Sequence, residues 1–392
     1  MTQQKLKPAE KKFSEPSSKM KKTEIGLIPE DWDLKKLGDV CVDMIGGGTP
    51  STSNKSYWGG NIPWMTSAHI LGRFVKSGQK SITKEGLQNS ATHLVEKDNL
   101  LVATRVGIGK VAINKIDVTI SQDLTGLIID KSKAFNEYVY WQLTYNQRKI
   151  KSFAQGSTIK GVLRTDLAKL EIPLPSLIEQ PSISEVLSTV DARLDIVERE
   201  SQRVERLKVG LMKELFDGKW KTVKINEMLS LEYGKGLSRG QRKGGKFPVF
   251  GSNGIIGYHS EPLVKGPGIL VGRKGSIGEI CMTESDFWPI DTTYYVVLKK
   301  DLNLKWVYYL LSTMNLSRLN TATGIPGLNR DLVYNEEVSL PPIKEQNRIT
   351  KVLETIDKKL LIQQSKKSKL ESIKKSLMND LLTGKKRVKV TQ

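Results

Sequence analysis

The sequence predicts an α+β protein in which two globular domains are separated by two long helices. The helices are expected to pair as an antiparallel coiled coil, which gives the chain a pseudo-two-fold symmetric construction. Three observations lead to this prediction. A stretch of about fifty residues occurs twice, both copies carry a helical pattern, and the regions around them share shorter motifs. The distance between the copies is far longer than a solenoid repeat, so it indicates two domain-sized halves.

The repeated stretch covers residues 170–219 and 336–385, which align without a gap. The constant shift that moves residue 170 onto residue 336 superposes Leu174 on Leu340 and Glu179-Gln180 on Glu345-Gln346. The same shift superposes the closing segments LMKELFDGK and LMNDLLTGK. Two copies this similar are expected to adopt the same structure.

Each copy is expected to begin extended and then to form one long helix. Prolines near the start disfavour an earlier helix, and Gly218 and Gly384 are typical helix ends. A helix of roughly 35 residues spans about 50 Å, longer than one domain face, which favours helix pairing over two separate surface helices. The polar residues Ser201, Gln363 and Lys367 interrupt the apolar pattern and are expected to fix the register. The apolar positions of the predicted seam are Leu187, Val190, Leu194, Val197, Val204, Leu207, Leu211 and Leu215 in the first copy, and Leu353, Ile356, Leu360, Leu370, Ile373, Leu377 and Leu381 in the second.

The globular regions are predicted to be mixed α+β domains. Short strand-like runs alternate with turns in the first domain, and residues 135–153 have helical spacing. The second domain repeats some of these motifs, since LVGRKGSIG at 270–278 parallels LVATRVGIG at 101–109. The predicted organisation is a disordered basic tail at 1–23, globular domain 1 at 24–169, the central helical repeat at 170–219, globular domain 2 at 220–335, the distal helical repeat at 336–385 and a basic tail at 386–392.

Composition points to a polyanionic partner. The net charge is +20, and nucleic acid is the first candidate because phosphate neutralisation supplies most non-specific binding energy. A generally lysine-rich proteome is the alternative explanation. No apolar run is long enough to span a membrane, and no secretory signal is expected. The two cysteines and three histidines lack metal-ligand spacing, which predicts no metal site and fits a reducing cytoplasm.

The arrangement resembles the specificity subunit of type I restriction-modification enzymes. The resemblance covers residues 24 to 385 and is carried by LPSLIEQ at 174–180, LPPIKEQ at 340–346 and the matching helix ends. It implies two target-recognition domains that each read one half of a split, asymmetric sequence in double-stranded DNA. It also implies helices that set the unread spacer, and assembly with two modification subunits and with translocating restriction subunits. The modification subunits would carry S-adenosylmethionine and methylate adenine, while this chain would bind no cofactor.

The sequence also argues against catalysis by the chain itself. The one Pro-Pro pair, Pro341-Pro342, lies in Leu-Pro-Pro-Ile and not in an amino-methyltransferase motif, and Glu10-Lys11-Lys12 lacks a preceding aspartate. We therefore expect a non-catalytic subunit. The alternatives are a DNA-processing enzyme with its own active site and a coiled-coil scaffold protein.

The candidate DNA-binding residues are polar side chains in loops that correspond between the two domains, where glycines allow a close approach of the backbone to DNA. Basic side chains would contact phosphates, while arginine and small polar side chains would contact base edges. The candidates are Thr66, Ser67, Thr104, Arg105, Lys110 and Gln122 in domain 1, and Arg239, Arg242, Ser252, Asn253, Arg273 and Lys274 in domain 2.

Overall fold

The structure, a computed structural model, describes residues 13–14, 19–155, 161–218, 220–320 and 327–388, with side chains from residue 19 onward. The chain forms two compact units. Unit 1 contains the residues up to 196 and those from 367 onward, and unit 2 contains residues 197–366. Each unit therefore combines one globular domain with a part of both long helices.

The strands are β1 Phe13–Ser14, β2 Met20–Thr23, β3 Gly26–Pro29, β4 Asp33–Lys36, β5 Cys41–Gly46, β6 Trp58–Met65, β7 Phe74–Val75, β8 Lys80–Ile82, β9 His93–Val95, β10 Leu100–Ala103, β11 Val111–Asn114, β12 Val118–Ile120, β13 Leu124–Ile129, β14 Glu171–Leu174, β15 Lys221–Lys224, β16 Leu229–Tyr233, β17 Phe247–Gly251, β18 Gly254–His259, β19 Gly268–Gly272, β20 Ile280–Thr283, β21 Trp288–Pro289, β22 Thr293–Leu298, β23 Glu337–Leu340 and β24 Arg387–Val388. The α-helices are α1 Lys84–Gln88, α2 Asn136–Tyr145, α3 Gln147–Ser152, α4 Arg164–Ala168, α5 Glu179–Phe216, α6 Leu304–Thr313, α7 Arg330–Asn335 and α8 Ile343–Leu382. Single-turn 3-10 helices lie at Leu37–Val40, Lys55–Tyr57, Ser67–His69, Ile225–Glu227, Arg239–Gln241 and Leu316–Leu319.

The two globular domains share one sheet framework. The larger sheet has the order β5-β13-β10-β11-β7 in domain 1 and β16-β22-β19-β20 in domain 2. The smaller sheet is β8-β6-β12-β9 in domain 1 and β18-β17-β21 in domain 2. Domain 1 thus has an additional strand in each sheet. The predicted α+β class and the weaker repeat between the domains are confirmed.

Alternating side chains of one central strand supply two separate cores, as expected for a strand that is buried on both faces. In domain 1, Leu100 and Val102 of β10 join the core beneath the helices, whereas Leu101 joins the core between the sheets. In domain 2, Ile269 and Val271 of β19 lie on the helix side and Leu270 on the other side. This burial holds the loops that follow β10 and β19 in place.

The start of each long repeat belongs to a globular domain. Strand β14 pairs antiparallel with β4, and β23 pairs with β15, as the predicted extended entries require. The long helices α5 and α8 end before Gly218 and Gly384, also as predicted. Gly384 has φ +72°, and a Cβ there would lie 2.4 Å from the Pro29 ring, so this turn requires glycine.

Helices α5 and α8 pack together within each unit. In unit 1, Ile183 and Leu187 of α5 share a core with Leu381 and Leu382 of α8. Further along α5, Asp191 pairs with Lys374. Residue numbers rise along one helix as they fall along the other, so the helices are antiparallel there.

Unit 2 shows the same antiparallel pairing. Gln363 Nε2 donates to Glu200 Oε2 over 2.8 Å, and Lys208 Nζ lies 2.6 Å from Asp357 Oδ1. Gln363 was predicted as a polar interruption of the seam, and its buried side chain does lie between the helices. The predicted antiparallel helix pair is therefore confirmed.

Two seam positions were predicted wrongly. Leu207 and Ile373, which are equivalent in the repeat, are 54% and 47% exposed. The following lysines, Lys208 and Lys374, occupy the seam instead. The leucine or isoleucine and the lysine that follows it both satisfy a spacing of three or four residues. The apolar residue is the better choice from sequence alone, but a carboxylate on the other helix makes the lysine fit the seam.

The predicted tails are also partly wrong. Met20–Thr23 form β2, which pairs with β3, and Arg387–Val388 form β24, which pairs with β1. Residues 1–12, 15–18 and 389–392 of the two predicted tails lie outside the described residues. Within the described part of the chain, no helix has the length and apolar character needed to cross a membrane.

Candidate nucleic-acid interface

Domain 1 contains an open cleft of about 610 Å³, here called the first cleft. It lies where β5 ends, where the loops after β10 and before β13 meet, and where α4 begins. Three of the predicted residues, Thr104, Arg105 and Gln122, line it together. The complete lining is Gly46, Gly47, Thr104, Arg105, Gln122, Leu124, Thr125, Gln155, Gly161, Val162, Leu163 and Arg164.

A close backbone crossing forms one wall of the first cleft. A Cβ on Gly47 would lie 2.2 Å from the Ile120 carbonyl oxygen, so no larger residue fits at that position. Arg164 Nη1 donates to the Met44 carbonyl over 3.0 Å, which places its guanidinium beside Gly46. These contacts hold an arginine at the mouth of the cleft.

The three predicted side chains of the first cleft differ in accessibility. Arg105 and Gln122 are exposed, whereas Thr104 is only 4% exposed and its backbone N–H donates to the Asp123 carbonyl. Thr49 Oγ1 donates to Gln122 Oε1 over 2.6 Å, which fixes one end of that amide. Arg105 and Gln122 can reach a ligand, and the position of Thr104 indicates a role in holding the loop.

The other predicted residues of domain 1 do not line the first cleft. Thr66 Oγ1 donates to Gln79 Oε1 over 2.9 Å, and Ser67 is 1% exposed. Lys110 is exposed in the turn after Gly107. Burial leaves the Ser67 side chain no direct path to DNA in this conformation.

Domain 2 places an arginine–tyrosine cluster at the equivalent position, here called the second cluster. It consists of Tyr233, Arg273, Asp291, Tyr294 and Arg330. The Arg273 guanidinium lies 4.8 Å from the centre of the Tyr233 ring, and Arg330 lies 4.9 Å from the same ring. Arg273 Nη1 also donates to the Asp291 carbonyl over 2.8 Å. The exposed Tyr233 ring therefore contacts two cations.

The phenols of the second cluster lie in contact with each other. The rings of Tyr233 and Tyr294 are 5.1 Å apart, and Tyr294 Oη donates to the Leu328 carbonyl over 3.2 Å. Burial, followed by the hydrogen bonding and charge of the neighbouring Tyr233, raises the pKa of Tyr294. Tyr294 consequently stays neutral at physiological pH and serves as a packing surface for Arg273.

The remaining predicted residues of domain 2 fall into two groups. Ser252 and Lys274 lie near Arg273, since the Ser252 side chain is close to Gly275. Asn253 is exposed in the turn between β17 and β18. Arg239 is exposed, whereas Arg242 donates to the Leu237 and Ile256 carbonyls and is occupied in holding its own loop.

Arg164 and Arg330 were not among the predicted residues, although they occupy the same place in the two domains. Arg164 donates to the Met44 carbonyl in β5, and Arg330 donates to the Leu231 carbonyl in β16. In both strands the accepting residue is the third from the end. The shift that superposes the two long repeats also superposes these arginines, and both follow a Gly-containing segment that is repeated. That spacing was the available signal for this pair.

Both sites offer cationic and amide donors to a ligand. Among the described residues, none of the four arginines at positions 105, 164, 273 and 330 forms an ion pair with a carboxylate, while ion pairs elsewhere tie up other basic residues. Guanidinium and amide groups match the acceptors of phosphates and base edges. No group of three or more His, Cys, Asp or Glu side chains that could hold a metal occurs in the described ranges.

Comparison with known proteins assigns the family. The model of the type I restriction modification DNA specificity domain matches twice, at residues 29–206 and 217–372. The MjaIX type I restriction enzyme specificity subunit of Methanocaldococcus jannaschii is 33% identical over 204 residues, which are 51% of this chain and 47% of that relative. The chain thus spans about half the length of that relative.

Other similarities extend over more of the chain. The MjaVIII type I restriction enzyme specificity subunit of the same organism is 23% identical over 418 aligned residues, covering 92% of this chain and 94% of that protein. The solved S subunit of a type I restriction-modification system from M. genitalium shares the fold with a TM-score of 0.66 and 20% identity, over 90% of this chain and 96% of that one. The chain belongs to the type I restriction modification DNA specificity family.

Proposed function

We propose that this chain is the DNA sequence-specificity subunit of a type I restriction-modification enzyme and binds a bipartite, asymmetric target in double-stranded DNA. The observation that carries the proposal is the repeated placement of an arginine over the end of a strand, by Arg164 in domain 1 and Arg330 in domain 2. The two domains share one sheet framework but carry different side chains at the first cleft and at the second cluster. Such a pair suits two unlike half-sites.

The long helices support the recruitment of identical partners. The Asp191–Lys374 and Lys208–Asp357 pairs occupy equivalent positions of the repeat, so similar helical surfaces are presented twice. We propose that two methyltransferase subunits bind these surfaces, and that restriction (translocase and endonuclease) subunits join the complex. The helices would then set the length of DNA that is not read.

The proposal gives this chain no catalytic step. The partner methyltransferase subunits would bind S-adenosylmethionine and methylate adenine, while this chain holds the DNA. Its place of action would be the cytoplasm. The residues proposed to contact DNA are the accessible ones of the first cleft and the second cluster, with Arg164 and Arg330 added to the sequence-based candidates.

Two measurements on the purified full-length chain test the proposal. The first incubates the chain with S-adenosylmethionine and mixed duplex DNA, with and without its methyltransferase subunits. We expect methyl transfer only when those subunits are present. Methyl transfer by the chain alone would instead identify it as a DNA-processing enzyme.

The second measurement follows DNA binding as the salt concentration rises. Counterion release predicts a linear fall of the logarithm of the binding constant with the logarithm of salt concentration. We expect this dependence for the chain in complex with its methyltransferase subunits. The slope should be shallower when Arg105 and Arg164 are both changed to Gln. Absence of DNA binding at low salt would favour a scaffold that binds proteins.

A further inference from the structure

We propose that Arg273 reads a guanine in the half-site bound by domain 2, and that Tyr233 is the positioning residue that orients its guanidinium. This inference rests on the proposed function and adds the base class and the side chain that reads it. It is carried by the geometry of the second cluster and by the contrast with the first cleft.

The orientation of Arg273 is fixed from two directions. Its guanidinium is 4.8 Å from the Tyr233 ring centre and 5.8 Å from that of Tyr294. Its Nη1 donates to the Asp291 carbonyl over 2.8 Å. Stacking and a backbone hydrogen bond restrict the rotamers of this long side chain before DNA binds. Binding therefore costs less side-chain entropy.

The guanidinium still has donors to offer. An arginine carries five N–H donors in a planar fork, and the Asp291 carbonyl accepts only one of them. A fixed planar fork matches two acceptors in one plane, which the O6 and N7 atoms of guanine present in the major groove. A phosphate can also accept two N–H bonds from this fork, but an unoriented cation is enough to neutralise a phosphate, so the fixed orientation of Arg273 favours a base edge.

Neighbouring residues supply the complementary contacts. Lys274 is exposed directly after Arg273 and can approach a phosphate. Arg330 approaches the Tyr233 ring to 4.9 Å and donates to the Leu231 carbonyl over 3.4 Å. The ring of Tyr233 therefore lies against two cations, and their positive field attracts the hydrogen-bond acceptors of DNA, on base edges and phosphates alike.

Domain 1 lacks this arrangement. Strand β5 of domain 1 ends at Gly46, whereas the corresponding strand β16 of domain 2 ends at Tyr233. Arg164 therefore lies beside a glycine, and no aromatic ring occupies that position. Arg105 packs its stem near Gly161 and is exposed. The same framework therefore orients a base-reading arginine in domain 2 and leaves an open cleft with the Gln122 amide in domain 1.

The test uses the full chain in complex with its methyltransferase subunits and a library of DNA duplexes in which all positions are randomised. The wild-type complex is expected to select a bipartite site with at least one G·C pair in the domain 2 half-site. Arg273→Gln should reduce the preference for that guanine by about ten-fold or more, while the other half-site and the spacer stay unchanged. Arg273→Lys should also weaken that preference, because an ammonium keeps the charge but lacks the planar fork that stacks on the Tyr233 ring.

Control variants separate reading from folding. Tyr233→Ala should weaken the same guanine preference, and Tyr233→Phe should restore it, because the ring is what positions Arg273. Lys274→Gln should lower affinity for all sequences alike. Arg105→Gln, in the first cleft, should lower the affinity for DNA but leave the base preferences of the domain 2 half-site unchanged. Unaltered thermal unfolding of each variant checks that the domain remains folded.

The outcomes distinguish this inference from the proposed function. If the wild-type complex selects a bipartite site and Arg273→Gln leaves every guanine preference intact, guanine reading by Arg273 is wrong and the proposed function stands. The inference is equally wrong if the domain 2 half-site contains no G·C pair. If the wild-type complex selects no bipartite site, the proposed function fails and this inference fails with it.

Discussion

Lys208 Nζ lies 2.6 Å from Asp357 Oδ1 on the other long helix, and Tyr309 Oη donates to Asp357 Oδ2 over 2.7 Å. In the other unit Lys374 pairs with Asp191 at the equivalent repeat positions and lies over the Trp141 ring. Each pair joins the two helices and an aromatic residue of a globular domain. The charged seam positions thus connect the helix pair to the domain helices α6 and α2.

Removing one member of the first pair should destabilise unit 2. Lys208 and Asp357 are 24% and 31% exposed, so the pair is partly desolvated and breaking it leaves a charge without its partner. Lys208→Met should lower the free energy of unfolding by about 1–3 kcal/mol, below the range for fully buried pairs. Urea unfolding of the variant measures this.

The matched control is Lys213→Met on the same helix, where the lysine is exposed. It should change stability by less than about 0.5 kcal/mol. The double variant Lys208→Met with Asp357→Leu should recover part of the loss. Equal stability of the Lys208 and Lys213 variants would show that the pair contributes nothing.

Two leucines of α8 should differ widely in their contribution to stability. Leu353 is 0% exposed in the core of unit 2, whereas Leu361 is 70% exposed. Leu353→Ala should cost about 2–5 kcal/mol because it leaves a cavity. Leu361→Ala should cost less than about 0.5 kcal/mol, and a similar cost for both would contradict the packing described for this helix.

The glutamine of each repeated Glu-Gln pair should matter more than an exposed glutamine. Gln346 is 2% exposed, accepts from the Asn303 backbone N–H over 2.9 Å and donates to the Pro341 carbonyl over 3.0 Å. Gln346→Ala should cost about 1–3 kcal/mol, because two backbone groups lose their partner. Gln364→Ala, at an exposed position further along the same helix, is the control and should be close to neutral in the same urea titration.

Arg387 should stabilise unit 1 strongly for a residue so near the end of the described chain. Its Nε lies 2.6 Å from Glu179 Oε1, and it also contacts both carboxylate oxygens of Asp31 over 3.0 Å. The Glu179 side chain is 3% exposed, so Arg387→Ala should cost about 3–5 kcal/mol by leaving a buried charge. Arg348→Ala breaks an exposed pair with Glu345 and should be close to neutral. A smaller loss for Arg387→Ala than for Arg348→Ala would overturn this assignment.

Much of the fold was predictable because the long helices depend on local spacing and on a repeat without gaps. The seam was misassigned at Leu207 and Ile373, where the adjacent lysine is accommodated by a carboxylate on the other helix, far away in the sequence. The structural role of Gln180 was equally hidden. Its partner, the Phe135 backbone N–H, belongs to a separate loop of domain 1, and no local pattern reports such a contact.

The DNA contacts of the candidate residues stay a prediction, and the structure shows which of these residues are accessible. The loops that correspond between the domains predicted Arg105 and Gln122, which are accessible in the first cleft, and Arg273, which is accessible in the second cluster. Burial removed Thr104 and Ser67 from direct contact, because their loops turn these small side chains inward. Tyr233 was missed since an isolated tyrosine at the end of a strand gives no signal of its function until Arg273 and Arg330 are placed against its ring.

The central claim is that each globular domain reads its own half of a split DNA site. Mapping of methylated adenines across the genome tests it most directly, in cells that carry this chain with its methyltransferase partner and in cells where residues 220–335 are replaced by the corresponding domain of a relative. The account predicts one bipartite motif with a fixed unread spacer, and a change confined to one half after the replacement. A single continuous motif, or a replacement that alters both halves, would contradict it.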